Sequence, residues 1–272
     1  MRFRTAAALT ATLMVPAASV ALAGPALAAD AQVTVVHGIP DVTVDVYANG
    51  EILLDDFAPG TVTDPVALPE GSYDIAITAS DAAGADDSPV LSETVDVPGG
   101  ANASVVAHLS EGGDPTLTTF VNDTSEVAAG EARLTVRHTA AAPAVDVLAN
   151  GDVLFSNLSN PNEAKGDVPE GTYSASVVPT GATEPVVLGP ADVALTAGTN
   201  TIVYAWGSLD DENLALAVQT VDGLGGAPHG VPSGTGAAAD ESFPVWAAGA
   251  MAIAAVGVAA SGAAVARARS RS

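Results

Sequence analysis

Between residues 31 and 222 the chain is built from short segments in which apolar and polar side chains alternate with a period of two. In Val44-Asp45-Val46 the valines fall on one face and Asp45 on the other, and Val145-Asp146-Val147 repeats the pattern. Such alternation over short runs bounded by turn residues predicts half-buried β-strands. Strands are expected at residues 72–79, 90–97, 103–109 and 116–121, and again at 172–178, 201–206 and 214–221. Asn49-Gly50 and Asn150-Gly151 supply the two positive-φ positions of a type I′ turn, so residues 51–54 and 152–155 run back as hairpin partners. Seven or eight strands per copy predict an all-β fold of two tandem immunoglobulin-like β-sandwiches, with the strand order left open.

The two halves are copies of one unit. Val33-Thr34-Val35-Val36-His37 matches Leu134-Thr135-Val136-Arg137-His138 at an offset of 101 residues. Pro69-Glu70-Gly71-Ser72-Tyr73 matches Pro169-Glu170-Gly171-Thr172-Tyr173 at 100, and Gly100-Ala101-Asn102 matches Gly198-Thr199-Asn200 at 98. A drift this small is what loop deletions between preserved strands produce, and it defines domains at 31–123 and 132–222.

At both ends the alternation stops. Arg2 and Arg4 precede an apolar run, and Ala26-Leu27-Ala28 follows Pro25, which predicts a signal peptide over residues 1–28 cleaved after Ala28. Residues 223–244 are rich in Gly, Pro and Ala and read as a flexible linker. Residues 245–265 carry no charge, and a helix of that length spans about 30 Å, the thickness of a bilayer core. Arg267, Arg269 and Arg271 in the tail at 266–272 orient such a helix with the bulk of the chain outside. Ten alanines make the span weakly apolar, so its insertion leans on that arginine stop. Val231-Pro232-Ser233-Gly234-Thr235-Gly236, ahead of the span, is similar to a cell-wall sorting motif but has Val for Leu and an inserted Gly; a retained anchor is preferred.

Composition narrows the partners. The chain has 8 basic and 32 acidic residues and a net charge of −24. Only Arg133, Arg137 and Lys165 lie between the end segments, where 32 acids leave a balance of −29. Nucleic acid is excluded as a partner, because phosphate neutralisation needs clustered Lys and Arg. The absence of Cys excludes disulfides and thiolate chemistry.

Candidate chemistry is sparse. His37, Asp41 and Asp45 form the most suggestive cluster, with His138 and Asp146 at matching places. An imidazole beside carboxylates suits metal binding or proton transfer, but one His and one carboxylate per copy make a thin site. Asp45 is expected to bond loop backbone groups or face solvent instead. Tyr73 and Tyr173 follow Pro-Glu-Gly turns and read as corner tyrosines whose hydroxyls tie down a loop. Trp206 alternates with Ile202 and Tyr204, which places it in a core; His108 stands in its place in the first copy. Asp55-Asp56, Asp81 with Asp86-Asp87, and Asp210-Asp211-Glu212 are acidic loops without a calcium-loop pattern. No nucleophile elbow, His-Glu-x-x-His pair or phosphate loop is present.

Val35-Val36-His37-Gly38-Ile39-Pro40-Asp41, followed by Val44-Asp45-Val46-Tyr47-Ala48-Asn49-Gly50, resembles the opening signature of the bacterial family named domain of unknown function 4397. Leu68-Pro69-Glu70-Gly71-Ser72-Tyr73 fits the same family. The second copy departs from it at Thr139-Ala140-Ala141-Ala142-Pro143, so a role for Asp41 is not shared by both. The resemblance implies a secreted or surface-attached β-sandwich and no particular activity. The expected protein is a non-catalytic, single-pass surface protein without a cofactor. It displays two modules for binding or adhesion to an envelope or extracellular ligand. A structural spacer or coat protein is the alternative, and an enzyme the least favoured.

Overall fold

The computed structural model describes residues 29–225. The expected signal peptide with Ala28, all but the first residues of the linker, the 245–265 segment and the basic tail lie outside the described residues. No helix among the described residues is long and apolar enough to cross a membrane.

The first copy contains eight strands: β1 (Ala31–Gly38), β2 (Val44–Ala48), β3 (Glu51–Phe57), β4 (Val66–Leu68), β5 (Gly71–Ala79), β6 (Leu91–Val97), β7 (Asn102–Leu109) and β8 (Pro115–Val121). The second repeats them as β9 (Glu131–Ala141), β10 (Val145–Ala149), β11 (Asp152–Leu158), β12 (Glu163–Pro169), β13 (Gly171–Pro179), β14 (Leu188–Leu195), β15 (Asn200–Ser208) and β16 (Ala215–Val221). Each copy folds into two four-stranded sheets, ordered β4-β1-β7-β8 and β3-β2-β5-β6, with β12-β9-β15-β16 and β11-β10-β13-β14 as their equivalents. β1 runs parallel to β7, and β9 to β15. One sheet of each sandwich is therefore mixed, which is where the copies part from an immunoglobulin-like pair of antiparallel sheets.

Local chemistry sets the framework as the sequence suggests. Asn49 and Gly50 have φ of 53° and 82°, Asn150 and Gly151 of 54° and 89°, the positive values that a two-residue hairpin requires. Each Asn also accepts a backbone N–H from the adjacent strand, Asn49 from Asp74 at 3.0 Å and Asn150 from Ser174 at 2.9 Å. The turn is thereby tied to β5 or β13.

Val33, Val35, Val44, Val46, Ile75 and Ile77 fill the first sandwich. Leu134, Val136, Val145, Val147, Val193 and Val203 fill the second. A third core lies between the copies: Val36, Val106 and Phe120 of the first meet Ile202, Tyr204, Ala217 and Val221 of the second. The outer face of β4-β1-β7-β8 thus packs on the equivalent face of β12-β9-β15-β16, giving four sheet layers. Strands β1, β7, β9 and β15 are buried on both faces. Val127, in the connection between the copies, and Leu224 close one end, where Val127 N donates to Leu224 O at 2.8 Å. Leu224, which composition assigns to the linker, is packed into this seam.

Candidate functional site

The residues singled out by sequence do not converge. His37 is fully buried at the end of β1, stacked on Phe57 with ring centroids 5.5 Å apart. Its Nε2 donates to Val42 O at 2.8 Å, and its Nδ1 accepts from Ile39 N at 3.3 Å. Both nitrogens are thus spent on holding the β1–β2 connection, in the neutral tautomer. His138 repeats the clamp on Pro143 O and Ala140 N. Asp45 points elsewhere, accepting Asp56 N at 2.9 Å, where Asp56 has a left-handed φ of 51°. Asp146 accepts Asn157 N at 2.7 Å and Gly181 N at 2.8 Å, and those bonds hold its carboxyl below the usual range. The two aspartates cap the irregularity that shifts the register of the β2–β3 and β10–β11 hairpins. Asp41 is exposed at a φ of 63° and accepts Asn213 Nδ2 of the second copy at 3.2 Å. Among the described residues no three His, Cys, Asp or Glu side chains group to hold a metal.

Tyr73 and Tyr173 each donate to the carbonyl of a proline four residues upstream, Pro69 and Pro169, at 2.9 Å. Trp206 packs against a core as expected, and that core is the one between the copies. Ile202, Tyr204 and Trp206 share a face of β15, but that face is the outer one and looks onto the first copy. Val203 belongs to the sandwich interior instead. Alternation correctly grouped the three residues but could not say which side was covered.

Burial depresses the basicity of His37, His108 and His138, since each is charged only at the cost of desolvation. The unfolded chain therefore binds more protons than the native protein as pH falls below about 6.5. Stability should be full well above that value and decline as pH falls through it to 5.5, before most carboxylates titrate. Urea unfolding at intervals across that window checks this, and a flat or rising midpoint contradicts it.

The polar chemistry of the molecule concentrates in the seam. Arg137, fully buried on β9, reaches across to the first copy. Its Nε donates to Glu163 Oε2 at 2.9 Å, one guanidinium nitrogen to Tyr204 OH at 2.8 Å, and the other to Asn122 Oδ1 at 2.8 Å. Its plane lies over the Phe120 ring, 4.3 Å from the centroid. Tyr204 OH donates to Gln219 Oε1 at 2.6 Å, which also accepts from Ser104 at 2.9 Å. Gln219 Nε2 donates to Thr34 Oγ1 at 3.1 Å. Burial raises the Tyr204 hydroxyl above its ordinary value, so it stays a donor. Sequence reading passed over this network, although polar residues in apolar strands and an Arg in a stretch of −29 are its visible signals.

The seam has two unlike flanks. Along β9 and β12 it is closed by ion pairs: Lys165 Nζ lies 2.8 Å from Asp123, and Arg133 lies 2.9 Å from Asp123 and 2.8 Å from Asp167. The Lys165 bond, with help from Ser125, holds the Asp123 carboxyl far below the usual range. Along β1 and β16 the seam opens into a cleft of about 470 Å³. Hydroxyls and amides of Thr34, Thr63, Asn102, Gln219 and Thr220 line it, with Asp64 and Asp222. The described sandwich interiors hold apolar voids of about 30 Å³, whose almost wholly apolar walls do not suit a polar ligand or water.

These features define a class: tandem β-sandwich proteins in which two copies of one domain are fused face to face around a buried polar seam. The chain belongs to the family of the domain of unknown function DUF4397, whose family model matches residues 31–148 and 139–230, in two tandem segments. No curated protein matches the chain.

Proposed function

We propose that this is a non-catalytic, envelope-exposed protein whose two fused sandwiches form one rigid, acidic module for binding at the bacterial surface. The observation that carries the reading is how the buried polar side chains are used. His37, His138 and Asp45 bind backbone within their own copy, and Arg137, Tyr204 and Gln219 bind across the seam. Side chains committed in this way build rigidity, and none is poised toward a substrate. Among the described residues, open polar ground lies at the cleft along the seam, a setting in which ligands are commonly held.

Export and anchoring rest on the sequence of the two ends. The signal peptide delivers the chain, and the 245–265 segment holds it as a single-pass protein with the sandwiches outside. A spacer or coat role without a ligand is the second reading, favoured by the buried seam, which makes the two copies a stiff strut. Protease added to intact cells should shave off the sandwiches, while the tail stays with the membrane. Protection until the cells are lysed overturns the surface assignment. Retention of the purified protein on isolated envelope polymers supports binding over the spacer; passage of every polymer unretarded supports the spacer.

A further inference from the structure

A sheet edge offers unpaired backbone N–H and C=O groups to any strand that comes alongside, and native folds blunt such edges with charge, proline, bulges or short length. Among the described residues eight strands lie at sheet edges, and seven of them are blunted. β4 is three residues long and stands between Pro65 and Pro69. β8 begins at Pro115, and the Glu93 carboxylate accepts its Leu117 N–H at 3.4 Å. β3 and β11 carry acids and a register shift. β6 holds Glu93 and Asp96, β12 holds Glu163, Lys165, Asp167 and Pro169, and β14 holds Pro190 and Asp192. β16 is the exception. Ala215-Leu216-Ala217-Val218-Gln219-Thr220-Val221 has no charge, proline or glycine, and it pairs with β15 in an unbroken register.

The register shows which backbone groups of β16 are free. Asn213 N donates to Ser208 O just beyond the ladder, in line with the pairing of Trp206 with Ala215 and of Asn200 with Val221. Hydrogen-bonded pairs recur at every second position of an antiparallel ladder. Residues 215, 217, 219 and 221 therefore bond β15, and the N–H and C=O of Leu216, Val218 and Thr220 point away from it. Val218 and Thr220 line the cleft, and the Val218 side chain is 51% exposed. Thr34 of β1 accepts Gln219 Nε2 at 3.1 Å across the seam. Residues 62–66 are the next position outward from β1 in that sheet, so they overhang the free edge of β16. On the opposite flank the matching overhang is β12, and the protein closes it with its own chain, Lys165 meeting Asp123 at 2.8 Å.

We propose that β16 is a docking edge for an extended peptide segment of another protein, which enters the cleft as a fifth strand of the sheet β12-β9-β15-β16. Main-chain hydrogen bonds to Leu216, Val218 and Thr220 hold it, so the side-chain bonds inside the seam stay as they are. A strand rises about 3.3 Å per residue, so the free groups from Leu216 to Thr220 span about 13 Å and match a segment of about five residues. Cross-strand neighbours share a face, which calls for apolar side chains beside Val218. The −29 balance of the module repels an acidic segment and favours one with Lys or Arg at its ends. A second copy of this chain does not fit. Were two β16 edges paired, residues 62–66 of each chain would stand where the other's β1 lies, and two strongly acidic surfaces would meet. The inference deepens the binding reading by naming the class of partner, and it rests on that reading only for where the partner is met.

The test is amide hydrogen exchange followed by ¹⁵N NMR on the full chain in 150 mM NaCl, where the Debye length is about 8 Å and diffuse attraction to the acidic surface is damped. The probe is an equimolar pool of peptides acetyl-Lys-Xaa-Thr-Xaa-Thr-Xaa-Lys-amide, with Val, Ile or Leu at each Xaa. In the free chain the amides of Leu216, Val218 and Thr220 should exchange at least tenfold faster than those of Ala217, Gln219 and Val221. The pool should slow those three saturably. Val218→Pro and Val218→Lys should each weaken that effect at least tenfold. The proline removes one outward N–H and spares the β15 ladder, and the lysine blunts the edge with the backbone intact, so agreement between them is not a failure to fold. Thr119→Pro, at an outward position of β8, should leave the effect unchanged. Three results overturn the proposal: no protection by the pool at millimolar concentration, equal protection by the same pool with Glu for Lys, or protection in the free chain that grows with its own concentration, which identifies a second copy as the occupant. Each leaves surface exposure standing, since the protease experiment alone decides that.

Discussion

Replacing Arg137 with alanine is expected to cost about 3 kcal/mol of stability, because it removes the buried partner of a half-buried ion pair together with two buried hydrogen bonds. The loss has identifiable parts. Glu163 is left without its guanidinium, Asn122 and Tyr204 lose a donor, and the space above Phe120 empties. Because those groups belong to both copies, the loss falls on the seam and not on either sandwich core. Calorimetry should therefore show more than a lower midpoint. A single transition in the parent should split into two in Arg137→Ala, as the sandwiches begin to melt separately. Arg137→Met keeps much of the volume but still strands the carboxylate. Adding Glu163→Gln to it should recover stability, since an uncompensated charge is then gone. If Arg137→Ala shifts the midpoint no more than an ordinary surface substitution, the seam is not what unites the copies.

How far that seam was legible follows from what a period-two pattern encodes. Val44-Asp45-Val46 and the Asn-Gly turns declare their strands because local geometry alone decides them. The seam strands say something different. Val35-Val36 and Val105-Val106 place valines on consecutive positions, and residues 201–206 are apolar at nearly every step. A strand that is apolar on both faces is covered on both faces, so the third core was written in the sequence as a failure to alternate. Its partner was not, because nothing local says whether a second copy, a second chain or a membrane covers the outer face. Strand β12 was missed for the opposite reason. Glu163-Ala164-Lys165-Gly166-Asp167-Val168-Pro169 has almost no apolar stripe, as its contribution is made through charge at a sheet edge. The roles of His37 and Asp45 were hidden in a similar way: a side chain that binds backbone looks, in one dimension, like one that waits for a ligand.

Substituting Gly60 with alanine should destabilise the protein well beyond what its backbone requires, and a second glycine in the same copy provides the reference. Gly60 has a φ of 77° and Gly50 of 82°, so alanine at either position meets the left-handed penalty of about 1–2 kcal/mol. Their surroundings differ. A Cβ on Gly50 meets nothing within 4 Å, whereas one on Gly60 lies 2.8 Å from Trp206 Cζ2. Gly38 adds to the same wall, with its Cβ position 3.2 Å from Trp206 Cβ. The indole is thus wedged between two glycines of the first copy while its own backbone belongs to the second. Overpacking such a contact costs about 1–3 kcal/mol more. Gly60→Ala should exceed Gly50→Ala by that margin in urea unfolding. In a Trp246→Phe background, only Gly60→Ala should shift tryptophan emission to the red, because Trp206 is then the sole indole and is pushed toward solvent. The two substitutions share a backbone cost, so their difference isolates the contact between copies. Equal losses from the two glycines, with unchanged emission, would mean that Trp206 yields freely and contributes no rigidity to the seam.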